Sequence, residues 1–260
     1  MRRAASWLAL LSLLAPLGAC GGKAATPAAG ERSAAEVDYD AGVAELADKS
    51  YPEAQKILER VRTKYPYSKY AALAELRLAD LRFRQDKYLE AAEAYAQFAK
   101  MHPTHDEVDY AAFRVGLSRY QDMPSDFFLF PASFERDMSA AEAARKAFEE
   151  FLGKYPRSKY ADEARKKFDD VKGRFADREW YVAAFYRKRE RWPGVAARLE
   201  RLVKEFPGSR REPEALLGLA EAYLKMDERF RAQQALQQLI VRYPKDPRRA
   251  EAEKLLASLR

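Results

Sequence analysis

Residues 65–103 read YPYSKYAALAELRLADLRFRQDKYLEAAEAYAQFAKMHP. A Tyr-Pro pair opens the stretch and a His-Pro pair closes it. Proline lacks the backbone N–H of a helix interior and drives the residue before it toward extended geometry, so each pair ends a helix. The same punctuation recurs at Tyr155-Pro156, Phe206-Pro207 and Tyr243-Pro244, with prolines 37, 53, 51 and 37 residues apart in chain order. Three of the pairs are followed by serine and a basic residue, in YPYSKYA, YPRSKYA and FPGSRRE, which places Ser68, Ser158 and Ser209 to cap the next helix.

A tetratricopeptide repeat is a helical hairpin of about 34 residues, with small residues near positions 8 and 20, bulky ones near 24 and 27, and proline near 32. Counting back from Pro66 gives Gly42, Ala54, Leu58 and Val61; from Pro103, Ala79, Ala91, Tyr95 and Phe98; from Pro244, Ala220, Ala232, Leu236 and Leu239. Pro207 gives Ala183, Val195, Leu199 and Leu202. Small residues let the two helices of a hairpin approach, bulky ones fill the gap to its neighbour, and no hairpin is stable alone. The chain is therefore expected to be all-α, a tetratricopeptide-repeat solenoid of about five helix pairs with a last helix over Pro247 to Leu259. Its inner wall would grip polypeptide segments.

Two intervals exceed the period. Pro156 gives Ala144, Phe148 and Phe151 for a second helix, but the matching small residue, Gly116, lies 16 residues too early. This localises an insertion in the third repeat between Tyr120 and Ser139. It contains the apolar stretch MPSDFFLFPASFERD, expected to fold back onto the array or to meet a partner, because exposure of so much apolar surface is costly. The interval before Pro207 has 14 extra residues, close to four helical turns. Ser158 to about Arg189 reads as one long central helix, or two nearly continuous ones; of its rings Trp180, Tyr181, Phe185 and Tyr186 most are expected in the core, with the 181/185 pair on one packing face.

The N-terminus has two arginines, an apolar run over Trp7–Leu17, then LGAC and an abrupt change to GGKAATPAAGE. This is a secretory signal, too short to span a bilayer. Cys20 is the one cysteine of the chain and the expected lipidation site, since several acyl chains hold a protein firmly to a membrane. With no second cysteine, packing and not disulfides must supply stability. The formal charge of +7 falls to +5 once Arg2 and Arg3 leave with the signal. Acidic and basic residues alternate, as in ARKKFDDVKGRFADRE, so nucleic acid is not an expected partner. No phosphate-binding loop, nucleophile elbow or zinc-protease motif occurs, and neighbouring carboxylates such as Glu149 and Glu150 point to different sides of a helix. The two histidines, in HPTHDE, sit at an inter-repeat turn. Neither an enzyme, a metal nor a cofactor is expected.

LGAC, KYPYSKYA, MHPTHDEVDYAAFRVGL, the FF-containing insertion ending in ERD, FLGKYPRSKYADEA and WYVAAFYRKRERWPGVAARLERLVKEFP occur in this order. Together they resemble the BamD family, lipoproteins of the machinery that assembles β-barrels in the outer membrane, from about Asp38 to Tyr243. The resemblance implies a scaffold at the periplasmic face of the outer membrane. Its C-terminal repeats would dock on the POTRA domain of BamA, with Arg198 in VAARLERL as the docking arginine. Its N-terminal repeats would receive unfolded outer-membrane β-barrel proteins, in a groove for which Tyr65, Tyr67 and Tyr70 are the candidates. Other Bam lipoproteins are further implied partners, although RDM at residues 136–138 departs from the family's Arg-Asp-Pro. The competing resemblance, to YbgF-type envelope coordinators that also carry P-x-S-x-Y-A repeats, lacks this insertion and long helix.

The expected division is a signal peptide over 1–19, a lipidated tether over 20–35, N-terminal repeats over 36–121, the insertion and end of the third repeat over 122–157, and the long helix with C-terminal repeats over 158–260.

Overall fold

The computed structural model describes residues 32–124 and 137–259. Among them are eleven helices and no strand. They pair as hairpins: α1 (Ala34–Ala47) with α2 (Tyr51–Lys64), α3 (Lys69–Arg84) with α4 (Tyr88–Met101), and α5 (Val108–Gln121) with α6 (Ser139–Lys154). Then come α7 (Ala161–Arg187) with α8 (Trp192–Glu205), α9 (Glu212–Lys225) with α10 (Arg229–Arg242), and the closing helix α11 (Arg249–Ser258). Each second helix also packs on the first helix of the next pair. That is the stacking of a tetratricopeptide-repeat solenoid, as the period predicts.

All five second helices end two residues before a proline. Tyr65, His102, Tyr155, Phe206 and Tyr243 share nearly one backbone conformation, with φ between −123° and −126° and ψ between 52° and 60°. The serines do not cap as expected. The Ser68 and Ser209 hydroxyls are buried without a hydrogen-bond partner, and α9 begins beyond Ser209. The Ser158 hydroxyl accepts the Tyr160 N–H at 3.2 Å and donates to Asp109 at 2.7 Å, reaching the preceding repeat. What closes these turns is backbone: the N–H groups of Ser68, Ser158 and Ser209 donate to the carbonyls of Tyr65, Tyr155 and Phe206. Inside four of the hairpins the turn contains a left-handed residue, Lys49, Asp86, Glu190 or Asp227.

Every repeat position counted from the prolines is buried, from Gly42 and Ala54 through Gly116 and Phe148 to Leu236 and Leu239. The close approach at small positions is literal. A Cβ on Gly42 would lie 2.8 Å from Leu58 Cδ2, and one on Gly116 2.6 Å from Phe148 Cδ1.

The long helix forms as α7, 27 residues against 14 in most of its neighbours, or about 40 Å at 1.5 Å per residue. Its N-terminal half packs Ala164 and Val171 into the core around Phe148 and Phe151. Its C-terminal half packs Ala176 and Ala183 into the core built on α8 to α10. Phe175 touches both. The expectation for its aromatic residues needs correction: Trp180 and Tyr186 pack on the C-terminal core, but Tyr181 and Phe185 are about half exposed, on the outward face. A 3.6-residue period groups them on one face without saying which face is covered. No helix among the described residues is long and apolar enough to cross a membrane. The apolar stretch of the insertion and Cys20 lie outside the described residues.

Candidate binding surfaces

The three tyrosines of the first inter-repeat segment, Tyr65, Tyr67 and Tyr70, differ in their surroundings. Tyr65, at the end of α2, donates its hydroxyl to Asp38 Oδ2 at 3.1 Å, and Arg60 donates to the other oxygen of Asp38 at 3.0 Å. Tyr70, in the first turn of α3, lies against Tyr39 with ring centroids 5.5 Å apart. Both rings pack on the cluster of Leu58, Val61, Ala74 and Leu78, so the structure brings Tyr65 and Tyr70 together on α1. Tyr67 is fully exposed at the turn between them. Lys64 and Lys69 lie over the Tyr65 and Tyr70 rings, each 5.0 Å from the centroid.

Beside them lies a buried polar network that the repeat pattern does not reveal. Asp80, in the middle of α3, is 5% exposed. It accepts from Arg77 at 2.7 Å, from Tyr95 of α4 at 2.5 Å and from Tyr110 of α5 at 2.7 Å. Arg77 also donates to the Tyr39 hydroxyl at 3.1 Å and to both oxygens of Glu107. A carboxylate buried without partners is costly, whereas here its oxygens are occupied. Burial, then the adjacent Asp80 carboxylate, raise Tyr95 and Tyr110 far above the ordinary phenol value. Burial works against the Arg77 charge, but Asp80 and Glu107 outweigh it and hold the guanidinium protonated. The network joins α1, α3, α4 and α5, that is, the first three repeats. Its one trace in the sequence is an acidic residue among the apolar and basic ones of LRLADLRF.

The histidines belong to a turn. His102 Nε2 is 2.9 Å from Glu75 Oε2, and His105 Nδ1 accepts the N–H of Glu107 at 3.0 Å. No group of three metal-ligating side chains occurs among the described residues.

In the C-terminal half, Arg198 projects from α8 with its side chain about one-third exposed. It is not a lone cation. Its Nη1 lies 3.3 Å from Glu179 Oε2, while Arg201 Nη1 lies 3.4 Å from Glu179 Oε1. Glu179 is itself buried on α7, and sequence reasoning overlooked it because nothing local links positions 19 residues apart. Two residues earlier, buried Asp177 accepts from Arg210 and Arg211 at 2.5 and 2.7 Å. Two interior carboxylates thus organise four arginines along the α7–α8 face and the turn after it. Such a row of fixed, forked donors suits carboxylates on a partner.

The family described as outer membrane lipoprotein, YfiO, matches residues 31–239. The outer membrane protein assembly factor BamD of Xylella fastidiosa strain 9a5c is 28% identical over 212 residues, covering 80% of this chain and 72% of that one. The factor of the same name from Neisseria gonorrhoeae is 28% identical over 205 residues, covering 78% and 77%, and that of Caulobacter vibrioides is 26% identical over 223 residues, covering 85% and 70%. Among solved structures, a thermophilic tetratricopeptide-repeat protein of Thermus thermophilus aligns over 87% of this chain and 98% of its own at 18% identity and a TM-score of 0.35. The TPR2AB domain of yeast Sti1 aligns over 86% of both chains at 12% identity and a TM-score of 0.43. With the family matched from the start of α1 into α10, this chain belongs to the YfiO family of outer membrane lipoproteins.

Proposed function

We propose that the protein is a non-catalytic scaffold subunit of the machinery that assembles β-barrel proteins in the outer membrane. The observation that carries this reading is the family match over both halves of the array, with relatives named as outer membrane protein assembly factors. A solenoid suits the work, because its hairpins present a continuous wall and need no reacting group. The N-terminal repeats receive unfolded outer-membrane proteins, with Tyr67 as the exposed ring and Tyr65 and Tyr70 as its supported neighbours. The C-terminal repeats dock on the POTRA region of BamA through Arg198. Cys20 carries the lipid that keeps the protein at the periplasmic face.

The Glu179 contact shapes the docking test. Arg198→Glu would set two carboxylates against each other inside the protein, so Arg198→Gln is the cleaner change. It is expected to weaken binding to a purified BamA POTRA fragment by about 1.5–3 kcal/mol, the usual size of a charge-assisted contact. The thermal midpoint should change little, because Arg201 still neutralises Glu179. Unchanged affinity, measured calorimetrically, removes Arg198 from the interface. Cys20→Ser is expected to leave the helical circular dichroism intact and to move the protein from the membrane pellet to the soluble periplasmic fraction. A variant that still sediments with membranes contradicts lipid anchoring.

A further inference from the structure

We infer that Arg114 is a carboxylate-recognition residue on the wall formed by α3 and α5, taking an acidic group of a bound polypeptide. This rests on the reading of the N-terminal repeats as a polypeptide-binding surface. Arg114 is half-buried, and its guanidinium lies 3.8 Å from the centroid of Phe83, 5.3 Å from that of Tyr95 and 5.6 Å from that of Tyr110. A guanidinium has five N–H donors. Here Nε donates to the Tyr95 hydroxyl at 3.1 Å, while among the described residues neither Nη group has a hydrogen-bond or ion-pair partner.

The neighbouring charges make the contrast informative. Arg77, at a similar depth, is closed by Asp80 and by both oxygens of Glu107. Asp80 is in turn committed to Arg77, Tyr95 and Tyr110, so it reaches Arg114 only through the Tyr95 hydroxyl. The aromatic faces hold the guanidinium plane by cation–π attraction without using its N–H edge. A planar fork that is fixed, partly desolvated and unspent at its outer edge matches the two oxygens of a carboxylate. Fixing it beforehand lowers the entropy lost on binding.

A polypeptide offers such a carboxylate at its C-terminus and on Asp and Glu side chains, and the test separates the two sources. A short fluorescent peptide from a strand of an outer-membrane β-barrel protein is made with its C-terminus as acid or amide, and with its internal acidic residue kept or changed to the amide. Binding to the full-length protein is followed by fluorescence anisotropy. One of the two carboxylate removals is expected to weaken binding about ten- to thirty-fold, the usual weight of a charged hydrogen-bonded contact. Arg114→Gln should cause the same loss and make that peptide change silent, the signature of a direct pair. Arg114→Met, which keeps the apolar stem on Phe83, should match Arg114→Gln, and both should keep the wild-type circular dichroism. The inference is overturned if Arg114→Gln and Arg114→Met bind like wild type, if carboxylate removal costs the same in variant and wild type, or if millimolar inorganic phosphate displaces the acid peptide, which would make this a general anion site. Binding that survives in wild type but ignores Arg114 sinks this assignment alone. Wild-type protein that binds no version of the peptide sinks the polypeptide-binding reading with it.

Discussion

Gly116 and Gly173 are both helical glycines, yet they serve different ends. A methyl group on Gly116 meets the ring of Phe148, which is fully buried and has nowhere to move, whereas Gly173 on α7 has open space where its Cβ would be. Gly116→Ala is therefore expected to destabilise the protein by about 1–3 kcal/mol through overpacking. Gly173→Ala should stabilise it by about 0.5–1 kcal/mol through the lower entropy of the unfolded chain. Urea unfolding checks both signs, and equal effects would mean that the close approach of α5 and α6 is not a tight one. Gly116 was legible from the sequence because a repeat position depends only on counting. The three tyrosines of YPYSKY were not separable in that way. Their roles depend on Asp38 and Tyr39, about 30 residues earlier, which decide that Tyr65 and Tyr70 are held and Tyr67 is not.

Among the elements, the five second helices ended where X-Pro geometry requires, and α7 lengthened by nearly whole turns so that its buried face continued into the next core. These features were legible because proline and helical period act locally. The serine caps were misread because the turn closes through its backbone and leaves the Ser68 and Ser209 hydroxyls unused, while that of Ser158 reaches Asp109 of the preceding repeat. The Asp80 network was invisible to periodicity because it joins residues 15 and 30 positions apart on different helices. It has a measurable consequence. Burial first, and the facing carboxylates second, raise Tyr95 and Tyr110 well above the ordinary value of 10, and push Tyr243 beside Glu212 up to about 12. Because the folded protein holds these protons more tightly than the unfolded chain does, their contribution is whole below pH 10. It is lost as pH rises from 10 through 12 and beyond. Ultraviolet titration should find a class of tyrosines that ionises late in the native protein and near pH 10 in urea. Tyr95→Phe should remove one member of that class; a single native transition near pH 10 would contradict the buried network.

At the scale of the whole molecule, two cores meet at Phe175 on one helix, and polar features of different character sit on either side of it. The N-terminal side has Tyr67, the Asp80 network and the half-buried Arg114. The C-terminal side has buried Asp177 and Glu179 holding arginines outward. The all-α solenoid could be counted from proline spacing, but which arginines are spent internally and which retain free donors required three-dimensional neighbours. The proposed division of labour, substrate on one side and machinery on the other, depends on membership in one assembly. Its most direct test is capture of the full-length, tagged protein from detergent-solubilised envelopes, with its partners identified by mass spectrometry. BamA is predicted to co-purify in stoichiometric amount; recovery of Tol proteins or peptidoglycan enzymes without BamA would contradict the account.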